Sequence, residues 1–199
     1  MSRLGISFSN DIPLPIANIL AKIDRTYVNG SIDKVVKHKL ANTSDSSAIA
    51  STASETNFDI TYTLSTVMMQ PGRIFKIVAN GVYSTTGTPT LLFKVKWGST
   101  DLVTFTARTG INNASNQSWQ VEAWIVVRSI GASGTVMASG KAFVNTAAGQ
   151  DTVETVVNNA ATTIDTTTAQ TCQVSLTWSA SSSSNTATLK NFVLLESDY

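Results

Sequence analysis

The chain has 199 residues, 42% of them hydrophobic but only 14% charged, with a formal net charge of +1. Soluble domains ordinarily carry roughly 25% charged residues; here Ser and Thr, about a quarter of the chain, take their place. So even a balance gives no electrostatic case for nucleic acid or an anionic membrane as partner, and the length suits one domain with a real core plus a short extension.

The first forty residues differ from the rest. They hold six basic side chains (Arg3, Lys22, Arg25, Lys34, Lys37, Lys39) against three acids (Asp11, Asp24, Asp33), a net +3 that leaves −2 for residues 41–199. Ile16, Ile19, Leu20, Ile23 and Tyr27 recur at helical spacing behind Pro13 and Pro15, which suit a helix start. A short amphipathic helix is expected there. After the Asn29-Gly30 turn, residues 32–40 read equally as a second short helix or a strand. A helix this short is marginal alone and must lay its apolar stripe on something, so residues 1–40 are expected to be an attachment arm. No apolar run reaches the ~18 residues of a membrane helix, and no signal-peptide core is present.

Residues 41–56 are Ser, Thr and Ala with little else, a linker with a thin edge strand near 48–52. Then alternation takes over. Phe58, Ile60, Tyr62 and Leu64 alternate with polar residues up to Gln70-Pro71-Gly72, and residues 73–83 make the next strand. Leu91, Phe93, Val95 and Trp97 follow the Ser84–Pro89 turn, and Gly98-Ser99 leads into 101–107. Trp119, Val121, Ala123, Ile125 and Val127 alternate with Gln120, Glu122, Trp124, Val126 and Arg128, and the Gly131–Gly134 turn predicts a hairpin with 135–144. Residues 145–169 read as a long loop with one short strand near 162–165. The cleanest pattern comes last: Cys172, Val174, Leu176 and Trp178 share one side of a strand, Thr171, Gln173, Ser175 and Thr177 the other. The Ser184-Asn185 turn then predicts a hairpin with 187–195. Eight or nine strands over about 150 residues predict an all-β fold, a two-sheet antiparallel sandwich of jelly-roll type spanning residues 41–199.

Reactive chemistry is sparse. The single histidine, His38, stands far in sequence from the single cysteine, Cys172, whose place on an apolar strand side predicts a buried small hydrophobe. One His and one Cys do not make a zinc site, and the acids follow no calcium-loop pattern. Asp59 and Glu122 could be combined into a glycosidase pair, yet both fall on strand sides expected to be solvated. Gly131-Ala-Ser-Gly134 joins two strands, whereas a phosphate-binding loop opens a helix. The expectation is a non-enzymatic protein without cofactor or metal. Trp119 and Trp124 lie on opposite faces of one strand, and Trp124 is the candidate for an outward aromatic that anchors a subunit interface or stacks on a sugar ring.

The wording of the turns and strands carries a resemblance. Gly81 to Leu91, Lys94-Val-Lys-Trp-Gly-Ser99, Ser118 to Ala123 with Arg128 to Val136, and Thr171 to Trp178 with Asn185 to Leu189 resemble virion proteins of tailed bacteriophages. The resemblance covers roughly residues 41–195 and implies a jelly-roll sandwich, a homotrimer, and a place in the virion after synthesis in the host cytoplasm. Two roles follow from it. A capsid decoration or cement protein would trimerise on the shell and grip the major capsid protein through its arm, by Arg3, Ile16, Ile19, Leu20, Lys22, Ile23, Arg25, Lys34, Lys37 and Lys39. A tail fibre or spike tip would instead bind host surface glycans. The short arm favours the shell, because a fibre shaft needs heptads or repeats and this sequence has neither.

Overall fold

The computed structural model describes residues 36–146 and 152–197. Nearly everything in them is strand or connecting turn, arranged as two antiparallel sheets face to face. The helix expected over 15–27 lies outside the described residues.

In chain order the strands are β1 (Val36–Ala41), β2 (Thr56–Asn57), β3 (Tyr62–Leu64), β4 (Ile74–Ser84), β5 (Thr90–Trp97), β6 (Thr100–Thr104), β7 (Arg108–Thr109), β8 (Gln117–Ser129), β9 (Gly134–Val144), β10 (Thr152–Val157), β11 (Thr162–Ile164), β12 (Gln170–Trp178) and β13 (Thr186–Ser197). One sheet has seven strands in the order β1-β13-β4-β8-β9-β10, with β11 also on β9. The other has six, β2-β12-β5-β6, with β3 on β12 and β7 on β5.

Period-two alternation explains why these segments are strands and which way they face. Burial alternates residue by residue through β4, β5 and most of β8 and β9, so every second side chain enters the space between the sheets. That space is filled by Trp97, Trp119 and Trp178 with Phe58, Phe75 and Phe93, all at most 1% exposed. Trp119 stacks on Phe58 at 5.3 Å between ring centroids and meets Phe93 at 4.7 Å, while Phe75 stands edge-on to Trp97 at 5.5 Å. Gly81 makes room for this: a Cβ there would lie 2.0 Å from the Thr188 carbonyl and 2.8 Å from the Trp119 ring. Val174, Leu176 and Trp178 are buried as their alternation predicts, and the Trp178 indole donates to the Ile49 carbonyl at 3.3 Å. Cys172 is fully buried too, and burial pushes its thiol well above the ordinary range despite the Trp97 indole N–H beside it.

Four expectations change. First, β12 and β13 are not a hairpin: β12 pairs with β5 in one sheet, β13 with β4 in the other. The Ser184-Asn185 turn carries the chain across the sandwich, and Asn185, 1% exposed, accepts a hydrogen bond from the Thr86 N–H in the β4–β5 crossing at 3.0 Å. A turn sequence specifies a reversal but not which strand lies beside which. Second, the loop expected over 145–169 contains β10 as well as β11, both paired with β9. Third, of the strand expected over 58–65 only β3 forms, with the short β2 just before it, and the one near 48–52 is a single bridge between Ile49 and Ala187. Fourth, the segment assigned to the arm runs into the sandwich. Residues 36–41 are β1, the edge strand paired with β13, and Leu40 packs against the core. An edge strand needs only one apolar contact, so Lys-His-Lys gives it no readable alternation.

Candidate functional site

The two outward faces of the sandwich are chemically unlike. On the six-stranded sheet, β5 sends out Thr90, Leu92, Lys94 and Lys96, and β12 sends out Thr171, Gln173 and Thr177, with Ser175 on the same side but fully covered. Lys94 and Lys96 are two apart on one strand, so both reach the same spot. There Lys94 meets Glu55 at 2.8 Å and Asp101 at 2.7 Å, Lys96 meets Glu55 and also Asp101 at 3.3 Å, and the Ser175 hydroxyl donates to Glu55 at 3.0 Å. Partial burial by itself would raise the Glu55 carboxyl, but hydrogen bonds from Lys94, Lys96 and Ser175 outweigh it and hold it at about 2. The same contacts push both lysines up, Lys94 chiefly through Asp101 and Lys96 chiefly through Glu55. Every charge in the cluster has its partner.

The seven-stranded sheet is the candidate interaction surface. Its register aligns the outward side chains in rows that run across β13, β4, β8, β9 and β10. One row is Ser197, Ile74, Val126, Met137; the next is Leu195, Lys76, Trp124, Ser139, Val157; then Val193, Val78, Glu122, Lys141, Thr155; then Asn191, Asn80, Gln120, Phe143, Val153. None of these side chains is buried, and Val153 and Val157 are 61% and 65% exposed. Isolated surface apolar residues are ordinary, but a contiguous field of them marks an interaction site. Trp124, the aromatic singled out from the sequence, stands near the middle. Lys76 holds its ammonium 4.8 Å from the centre of that ring and 3.4 Å from Glu122, while Gln120 donates to Glu122 at 2.8 Å. Beside them a shallow depression of about 230 Å³ is lined by Gln120, Glu122, Lys141, Ala142, Phe143 and Val153.

A second depression, about 320 Å³, lies at the end of the sandwich where the 3₁₀ turn Thr66–Met68 meets the β8–β9 turn. Val67 and Ile130 line it, 73% and 51% exposed, above the fully buried Met69. Sequence periodicity gives no warning of it, since both residues sit in connections.

Of the residues assigned to a capsid-gripping arm, Arg3, Ile16, Ile19, Leu20, Lys22, Ile23, Arg25 and Lys34 lie outside the described residues. Lys37 and Lys39 belong to β1. Lys39 is engaged within the sheet: its ammonium pairs with Glu196, a carboxylate with no exposed surface that Arg73 also reaches. A buried carboxylate deprived of its cations is strongly destabilising, so this contact ties β1 to the body. His38 stands opposite Leu195 on β1 while Cys172 is in the core, so they do not meet. Asp59 accepts the Ser47 N–H at 3.0 Å beside the six-stranded sheet, whereas Glu122 is on the outer face of the other. Among the described residues, no group of three or more His, Cys, Asp or Glu is placed to hold a metal ion.

No protein family matches this chain by its sequence profile, and no curated protein matches it either. Among solved structures it is similar to the CBM2 module of the evolved Dit of Lactobacillus casei BL23 phage J-1, at 10% identity and a TM-score of 0.33. The match covers 63% of this chain and 64% of that one, so this chain spans less than two thirds of that module's length. A likeness this slight carries neither the module's name nor its role across.

Proposed function

We propose that this protein is a non-enzymatic structural subunit of a tailed-phage virion: a capsid decoration or cement protein that trimerises on the shell and binds the major capsid protein. The observation that carries the reading is the outer face of the seven-stranded sheet, where Ile74, Val78, Val126, Phe143 and Leu195 share the surface with Trp124 and the charge around it is confined to Lys76, Glu122 and Lys141, opposite a face finished with paired ions. Obligate interfaces are made of such surfaces, depleted of charge and anchored by an aromatic side chain. The jelly-roll character, the trimer and the shell location come from the resemblance to tailed-phage virion proteins.

Attachment falls to the segment before β1. Without Lys37 and Lys39 it retains four basic side chains (Arg3, Lys22, Arg25, Lys34) against three acids, so the Ile16, Ile19, Leu20 and Ile23 stripe supplies most of the grip. The test is to remove residues 1–35, which leaves β1 in place, and to mix the product with shells stripped of this protein. The truncated protein should stay folded and fail to sediment with the shells, while the full chain binds in hundreds of copies per particle. Full binding without the segment would move attachment to the sandwich itself.

A second reading is a tail-fibre or spike tip that binds host glycans. The depression beside Trp124 favours it, because amide, carboxylate and ammonium groups next to the Phe143 ring offer both hydrogen bonds and a stacking surface. Binding of the intact protein to host cells but not to shells would select this reading.

A further inference from the structure

Along one long side of the sandwich β10 faces the outer edge of the six-stranded sheet, and two side chains from residues 154–158 cross to that edge. We propose that Glu154 and Asn158 form a latch over it, of which the Glu154 half opens in acid and closes again at neutral pH while Asn158 and both sheets stay in place. Glu154, turned inward from β10, accepts the Thr106 N–H at 2.9 Å, the Thr106 hydroxyl at 2.7 Å and the Arg108 guanidinium at 3.1 Å. Asn158, just past the strand, donates its side-chain amide to the Leu102 carbonyl at 2.8 Å and its own N–H to the Ala138 carbonyl of β9 at 3.2 Å.

Spacing makes these contacts a matched pair. Glu154 and Asn158 are four residues apart, as are Leu102 and Thr106, and the two segments run in opposite directions, so the carboxylate meets a backbone donor and the amide a backbone acceptor. The Phe105 N–H is spent on the Phe93 carbonyl of β5 at 3.1 Å, which leaves the next N–H, that of Thr106, pointing away from the sheet. Outward groups of this kind are what a further strand would pair with, and Leu102 is the extra residue of a bulge in β6. Gly140 lets the sheets come close here: a Cβ would lie 2.9 Å from the Phe105 ring and 3.0 Å from Val103. Only the Glu154 half titrates. Among the described residues, the charged group facing it is Arg108; Ala142 stands opposite it in β9, Lys141 lies opposite Thr155 on the outer face, and Asp101 of β6 is held by Lys94 and Lys96. Partial burial alone would raise the Glu154 carboxyl, but the Thr106 hydroxyl and N–H, with Arg108, outweigh it and hold it below its ordinary value of 4.5. The latch is therefore fully closed above that value and gives way as pH falls below it.

The reporter is the Thr106 amide, whose N–H has the Glu154 carboxylate as its acceptor. Hydrogen exchange of the full chain is followed by NMR at neutral pH and at about pH 3, each rate divided by that of an unstructured peptide under the same conditions. Protection of Thr106 should fall by about tenfold in acid and recover at neutral pH, as a shift of about one pKa unit requires, while the amides of β4, β8 and β10 keep theirs. In Glu154→Gln, with unchanged circular dichroism, Thr106 should be weakly protected at both pH values. In Asn158→Ala the β10 amides should lose protection together with Thr106 in acid, because the half that does not titrate is gone. Thr106 protection that ignores pH in the wild type would overturn the proposal, and so would its loss in step with β4 and β8, which would mean general unfolding. A Glu154→Gln protein that keeps the wild-type pH response would assign the opening to another group, and β10 amides that stay protected in Asn158→Ala would remove Asn158 from the latch. The wild-type comparison decides the matter even where a variant does not fold.

Discussion

Across one shared core, the six-stranded sheet turns outward threonine, glutamine and a cluster of four ions that satisfy one another, whereas the seven-stranded sheet turns outward Ile74, Val78, Trp124, Phe143 and Leu195. Both faces obey the same period of two. Alternation therefore says which residues leave the core but not what they leave it for; that second fact lies in the chemistry of the outward set. Hydroxyls and paired ions are at home in water. A ring with one lysine over it, on a face that also carries Ile74, Val78, Val126 and Leu195, is better covered.

The largest expected effect strikes what both faces share. Trp178→Ala empties a fully buried indole site and should lower stability by about 3–5 kcal/mol in urea unfolding, while Thr177→Ala, one residue away and outward, should stay within about 0.5 kcal/mol. A Trp178→Ala protein that melts like wild type would mean that β12 faces the other way.

Acid should next separate the two faces. Glu55 is held at about 2 when folded, below its ordinary value of 4.5. Its contribution is therefore complete above pH 4.5 and is lost as pH falls toward 2. Because the cluster lies at the surface, solvent screening limits that contribution to about 1 kcal/mol. Unfolding of Glu55→Gln should show a shallower fall over that window, whereas Trp124→Ala should leave the pH profile unchanged.

Trp124→Ala supplies the converse. On the outer face it should cost the isolated chain less than about 1 kcal/mol yet shift assembly toward monomer by at least tenfold, read by sedimentation. Wild-type assembly in that variant would leave the apolar face without a role. Salt should have the smallest effect: it should lower stability by a few tenths of a kcal/mol through the ion cluster, and leave assembly through the apolar face nearly untouched.

Much of this was legible in the residues. Strands β4, β5, β8, β9 and β12, the inward Trp178 and the outward Trp124 follow from alternation alone. What escaped has physical causes. β10 hides because Val153-Glu154-Thr155-Val156-Val157 breaks the alternation, and its inward Glu154 is used to accept hydrogen bonds from Thr106 and Arg108 of the opposite sheet's edge. β1 hides because its lysines are spent on other things, Lys39 on a carboxylate 157 positions away that no local pattern announces. The end depression depends on two connections meeting, a property of the tertiary fold and not of either segment.

The position of β13 bears on how the protein is made. Among the described strands it is synthesised last, yet it fills the gap between β1, the first, and β4. Until β13 emerges, β1 has nothing to pair with and β4 shows a bare hydrogen-bonding edge, next to an apolar surface already forming on β8 and β9. Closure of the seven-stranded sheet must therefore wait for β13 to emerge, and contacts between strands so far apart in sequence make that step slow. A nascent subunit can thus be caught by a neighbour's edge before it is finished, which favours completing each copy before the concentration of copies rises.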